Sequence, residues 1–325
     1  MGEAGRGTTG GGAGAGVRRF LIDTDTASDD AVALLMALRH PGIQVDAITV
    51  VAGNVPLEKG VQNALYCVER SGRQVPVHAG CATPLVAPLR TAEYVHGQDG
   101  MGDIGLPLTG RTPAPGHAVD VLVERILASA PGELTLVTLG PLTNVALALK
   151  REPSIAARLR EIVIMGGTGD AVGNVSAVAE FNVWVDPEAA EIVLASGARL
   201  VLVGWDISRK YATFDSAAAA ELRRVGPLGE LAVDIQGVLT AFATNQSHLA
   251  GFDLPDPIAM AVAIDPAIAT TVVHRNVVVE TAGVYARGQT VVDHIGFSKR
   301  APNVHVVLEA SRDGFLRLLH ETLRG

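Results

Sequence analysis

RFLIDTDTASDDAVALLMALR, residues 19–39, carries the plan of this chain. An apolar run over 19–22 breaks at Asp23-Thr24-Asp25, and a longer one over 31–38 starts directly after Asp29-Asp30. A short apolar run closed by polar residues reads as a strand buried on both faces. The longer run, led by two acidic residues, reads as a helix over 29–39. The same order of strand, polar turn and helix recurs. Strands are expected over 43–51, 134–139, 162–165 and 200–203, where the runs close on Gly53-Asn54, Gly140-Pro141, Gly166-Gly167 and Gly204. Helices are expected over 57–71, 119–129, 142–150 and 187–196. Apolar strands alternating with helices predict an α/β fold, a mostly parallel central sheet flanked by helices with right-handed crossovers.

Residues 206–260 break that alternation. The spacing predicts helices over 215–224 and 228–248 with no strand between them, a helical cap insertion following the central sheet. Strand pattern returns over 272–280 and 304–308, and a helix over 314–323 closes the fold. No linker-like stretch divides residues 17–325, which predicts a single domain. Residues 1–16 are half glycine and are expected to form a disordered tail, because ordering them loses too much backbone entropy.

Composition narrows the function classes. Of 325 residues, 48% are hydrophobic and 18% charged, which excludes a disordered chain or a coiled coil. The 34 acidic against 26 basic residues leave a net charge of −8, the wrong sign for nucleic acid or an anionic membrane surface. No apolar run approaches the length of a membrane span. Cys67 and Cys81 lack CxxC spacing and make neither a disulfide framework nor a zinc ribbon, a pattern that fits the cytoplasm.

In open α/β sheets ligands sit beyond the carboxyl ends of the strands. The strand ends here carry Asp23, Asp25, Asn54 and Asp206. Asp23, Asp25, Asp29 and Asp30 fall within eight positions. Four close carboxylates resist burial unless a cation or hydrogen bonds compensate, and oxygen-only ligands suit calcium or magnesium. A second cluster, GNVSAVAEFNVWVD over 173–186, embeds Asn174, Glu180 and Asn182 among apolar residues. Such groups must be paired, and a hydroxyl-rich ligand such as a sugar would pair them. A third, DLPDP over 253–257, sets Asp256 between prolines. A fourth, YVHGQDGMG over 94–102, has three glycines, the composition of a mobile lid, and contains His96.

At these residues the chain resembles the inosine–uridine-preferring nucleoside hydrolase family. The similarity runs from about residue 20 to the C-terminus. It rests on DTDTASDDA at 23–31, GN at 53–54, HGQDGMG at 96–102, LGPLTN at 139–144, MGG at 165–167, AEFNVWVDPEAA at 179–190 and DP at 256–257. The resemblance implies cleavage of the N-glycosidic bond of ribonucleosides to ribose and free base. It also implies a tightly bound Ca2+ held by Asp25, Asp30, Asp256 and the main-chain carbonyl of Leu139. Asp29 would then be the base that activates a calcium-held water, while Asn54, Asn174, Glu180 and Asn182 hold the ribose hydroxyls. Members commonly form homodimers or homotetramers. Many carry a histidine immediately before the last calcium-binding aspartate as the acid for the leaving base; here that position is Pro255. Candidates for the role are His248, at the end of the expected long cap helix, and His96 on the glycine-rich segment. Departure without an acid is the third possibility.

Two other readings remain at this point. A phosphotransferase with DxD after its first strand would use the first aspartate as a nucleophile, but its fifth motif position is here Ala27 and the later acidic cluster lacks a lysine. A calcium-dependent ribose- or nucleoside-binding protein would share the ligands without turnover.

Overall fold

The computed structural model describes residues 16–246 and 248–324. The glycine-rich tail therefore lies, apart from Gly16, outside the described residues. The sheet begins with β1 (Arg18–Thr24), β2 (Ile43–Val50), β3 (Val77–Ala79), β4 (Leu134–Thr138), β5 (Glu161–Met165) and β6 (Leu200–Val203). The short strands β7 (Thr213–Phe214) and β8 (Phe252–Asp253) pair with each other outside it. After them come β9 (Ala269–Arg275), β10 (Val277–Val279), β11 (Thr290–Val292) and β12 (Val304–Ala310). The eight-stranded sheet runs in the order β3-β2-β1-β4-β5-β6-β12-β9, parallel throughout except for the antiparallel β12–β9 pair.

The expected strands form within a residue or two of their predicted bounds, because runs such as LTLVT in β4 are buried along their whole length. The helix Ser28–Arg39 is apolar on all sides and packs between the sheet and the helices Leu57–Ser71, Pro255–Ile264 and Arg312–Leu323. Gly72, at φ 71°, ends the helix Leu57–Ser71 in the left-handed conformation that glycine adopts without strain.

Three expectations need correction. The expected helix over 228–248 is two helices, Pro227–Asp234 and Gly237–Asn245. The chain breaks where Gln236, fully buried, turns inward to donate from Nε2 to the Ser28 carbonyl at 3.0 Å. The cap region also contains the β7–β8 pair. Finally, the strand expected over 272–280 divides at Asn276. β9 stays in the main sheet while β10 leaves it to pair with β11. Asn276 secures the divide, accepting from the Asp293 amide and donating to Ala301 O at 3.0 Å.

Candidate active site

The carboxyl ends of β1, β2, β4, β5 and β6 open into one cleft, bordered on the cap side by the helix Gly237–Asn245. Asp29, Asn54, His96, Leu139, Asn174, Glu180, Asn182 and Asp256 all line it. Asp25 and Asp30 lie fully buried just beneath. His248 does not line it. It sits exposed beyond the end of the helix Gly237–Asn245, with φ 54°. Asp206 is also elsewhere, accepting from the Gly169 amide at 2.8 Å and facing Lys210 at 3.9 Å.

The acidic loop is built to hold its carboxylates in place. Asp30 accepts from Thr24 Oγ1 at 2.5 Å and from the Ala27 amide at 2.9 Å, capping its own helix. Asp25 accepts from the Asn54 amide at 2.6 Å through Oδ2. A Cβ on Gly140 would lie 2.6 Å from Asp25 Oδ1, and one on Gly53 would overlap Oδ2, so both glycines are needed for the backbone to close on this side chain. Carboxylate oxygens of Asp29, Asp30 and Asp256 lie within 4.8 Å of one another. This trio contains the residue expected as base, Asp29, in place of Asp25.

These groups fit a divalent cation. Asp25 Oδ1 and Asp29 Oδ1 are buried with no hydrogen-bond partner among the described residues. Burial, followed by repulsion from Asp30, pushes the pKa of Asp25 and of Asp29 well above the usual carboxylate range. Asp256 is raised for the same two reasons, with Asp29 and Asp25 adding to the repulsion. Buried carboxylates in this arrangement ionise together only if a positive charge joins them. The donor set is all oxygen, as calcium and magnesium require. The Leu139 carbonyl, also in the cleft, accepts from Asn182 Nδ2 at 2.8 Å and retains its second lone pair.

Asp23, the first carboxylate of the motif, serves the scaffold. Its Oδ1 accepts from Thr49 Oγ1 at 2.5 Å and Asn144 Nδ2 at 2.9 Å, tying β1 to β2 and to the LGPLTN turn. Burial raises its pKa to about 7.

Opposite the acidic loop stands the amide-rich segment. Glu180 caps the helix Phe181–Val185, accepting from the amides of Gly167, Asn182 and Val183 at 2.7, 2.8 and 3.3 Å. These bonds fill three of a carboxylate's roughly four acceptor sites. Burial raises its pKa to about 7. Asn174 accepts from the Phe181 amide through Oδ1 at 2.9 Å, which orients its NH2 as a free donor. Asn182 spends its NH2 on Leu139 O, which leaves its amide oxygen as an acceptor.

His96 is buried, its Nδ1 2.9 Å from Ser28 Oγ and 3.7 Å from Asp29 Oδ1. Burial lowers its pKa to about 4, so the imidazole is neutral at pH 7. The glycine-rich segment bearing it is tied to the acidic loop, for Asn63 Nδ2 donates both to Thr26 O at 3.0 Å and to Asp99 O at 2.9 Å.

The rest of the cleft is apolar. Tyr94 and Phe242 meet edge to face there with ring centroids 5.6 Å apart, near Phe181, Leu239 and Trp205. Asp253 also lines the cleft; Tyr94, Phe181 and Asp253 stand in the quoted segments 94–102, 173–186 and 253–257, whose local pattern gives none of the three a role, and Trp205, Leu239 and Phe242 lie outside them. Trp205 follows the Gly204 strand end directly, so the strand-end rule had the information to find it.

The family model described as inosine–uridine preferring nucleoside hydrolase matches residues 20–317. The pyrimidine-specific ribonucleoside hydrolase RihB of Escherichia coli strain SE11 is 36% identical over 310 residues, covering 95% of this chain and 97% of that protein. RihA of Salmonella enteritidis PT4, also named a pyrimidine-specific ribonucleoside hydrolase, is 38% identical over 308 residues, covering 94% and 98%. Among solved structures, the plant nucleoside hydrolase PpNRh1 superposes with a TM-score of 0.88 at 32% identity, covering 95% of this chain and 99% of its own. A purine-preferring ribonucleoside hydrolase from Gardnerella vaginalis gives 0.86 at 30% identity, covering 94% and 98%.

Proposed function

The chain belongs to the inosine–uridine preferring nucleoside hydrolase family, and from that premise we propose how its own residues carry the reaction. It is a ribonucleoside hydrolase, cleaving the N-glycosyl bond to give ribose and free base. That membership sets aside both the phosphotransferase and the binding-protein readings.

In our reading the carboxylates of Asp25, Asp30 and Asp256, with the Leu139 carbonyl, hold one Ca2+. When bound, the ion would supply positive charge that favours loss of a proton from water. Asp29, whose Oδ1 has no partner among the described residues, takes that proton. Asn54, the free NH2 of Asn174, the remaining acceptor site of Glu180 and the amide oxygen of Asn182 grip the ribose hydroxyls. Cleavage builds oxocarbenium character on the sugar, as in other glycoside hydrolysis. Holding sugar, water and base group together makes the step nearly unimolecular. The apolar wall of Tyr94, Phe242 and Trp205 receives the nucleobase.

The observation that carries this reading is the pairing of unsatisfied carboxylate oxygens with free amide groups across one cleft. The relatives' names divide between pyrimidine-specific and purine-preferring, so the test spans both classes. Uridine, cytidine, inosine and guanosine are incubated with the protein and calcium, and free base and ribose are quantified. At least one nucleoside is expected to yield both in equal amounts. Release from none of the four contradicts the reading.

A homodimer or homotetramer and a cytoplasmic location belong to the same proposal. Support for the first is the exposure of Val284, Tyr285, Ile295 and Phe297, each 85% or more. The second is supported by two unpaired thiols, Cys67 and Cys81. No helix among the described residues is long and apolar enough to cross a membrane.

A further inference from the structure

Departure of a nucleobase leaves negative charge on the ring unless a proton reaches it. Pro255 lines the cleft and has none to give. His96 is neutral and bonded to Ser28, His248 lies outside the cleft, and Glu180 is committed to three amides. Asp253 remains. The residue is 5% exposed, ends β8 and lines the cleft with the apolar wall. Oδ2 accepts from Trp205 Nε1 at 3.0 Å and from Ser208 Oγ. Oδ1 has no hydrogen-bond partner among the described residues, and Asp253 lines the cleft. Two donors on Oδ2 leave the carboxyl hydrogen only one place, Oδ1.

We propose that Asp253 is a catalytic residue that passes its Oδ1 proton to the departing nucleobase. The assignment rests on the ribonucleoside hydrolase reading. As the C–N bond breaks, its electron pair goes to the base, which takes the Asp253 proton. The attacking water gives its oxygen to C1′ of the ribose and its proton to Asp29. Afterwards Asp253 regains a proton from solvent and Asp29 releases one. Burial holds the carboxyl above the usual range, against the hydrogen bonds of Ser208 and Trp205 and the more distant charge of Arg209. Asp29 and Asp253 repel each other, so ionisation of the base favours the acid's keeping its proton.

The test compares Asp253→Asn with wild type on inosine or uridine and on p-nitrophenyl riboside, whose leaving group needs no proton. The amide can still accept from Trp205 and Ser208, so the site is kept while the acid is removed. We expect kcat/KM on the natural nucleoside to fall ~10²–10⁴-fold, the usual contribution of a positioned acid, with the riboside little affected. The high-pH limb of the nucleoside profile should vanish with it. An equal loss on both substrates, as from a residue gripping ribose, overturns the assignment, and so does no loss on either. Ser208→Ala keeps the acid and removes one donor to its ionised form. That change should raise the Asp253 pKa and move the high-pH limb upward, which keeps the proposal testable if Asp253→Asn folds poorly. A limb that does not move overturns it. Wild-type protein inactive on both substrates would instead overturn the hydrolase reading beneath it.

Discussion

Asp29→Ala is expected to lower turnover on ribonucleosides by ~10²–10⁴-fold, the contribution of a positioned proton acceptor. Asp29 lines the cleft, and its buried Oδ1 has no hydrogen-bond partner among the described residues. The loss should fall on kcat more than on KM, since the groups proposed to grip ribose are carried by other elements. Metal content should be mostly retained, because Asp25, Asp30 and Asp256 remain. Saturating rates and elemental analysis on one preparation check both halves. Normal turnover removes Asp29 from the chemistry. Joint loss of metal and activity assigns it to the ligand set, where its closeness to Asp30 and Asp256 would place it.

A larger effect is expected from the Asp25→Ala, Asp30→Ala double variant. Removing two of the three ligand carboxylates should abolish metal retention and take activity to background. It also removes buried charges that repel one another, so the metal-free variant should fold. Calorimetry distinguishes this from collapse. Calcium at ~1,000 times its Kd stabilises a binding protein by about 4 kcal/mol, which should raise the wild-type melting temperature and leave the variant's unchanged. A variant that still melts higher with calcium and keeps its metal contradicts the assignment.

The parallel core was legible because strands such as ITV and LTLVT are aliphatic or β-branched at every position with no charge, and only a sheet covered on both faces buries them so. That Asn174, Glu180 and Asn182 would face one cleft was legible for a related reason, since they are polar residues in apolar surroundings. The cap was less so. Its two helices are short and read as one continuous pattern, and only the long-range bond from Gln236 to Ser28, 208 residues apart, reveals the break. His248 looked available because that break was missed. Asp253 was hidden because nothing in the local DLPDP pattern gives it a role of its own beside Asp256. Its distinction comes from Trp205 and Ser208, which the fold brings from 48 and 45 positions away. Local pattern records burial and period, whereas a side chain's partners across the fold are set by topology.

The central claim is that the acidic cluster is a single-cation site. Elemental analysis of protein purified without chelator tests it most directly. The account predicts about one calcium per chain, as single-site oxygen coordination requires. Catalytically active protein containing no divalent cation would contradict it.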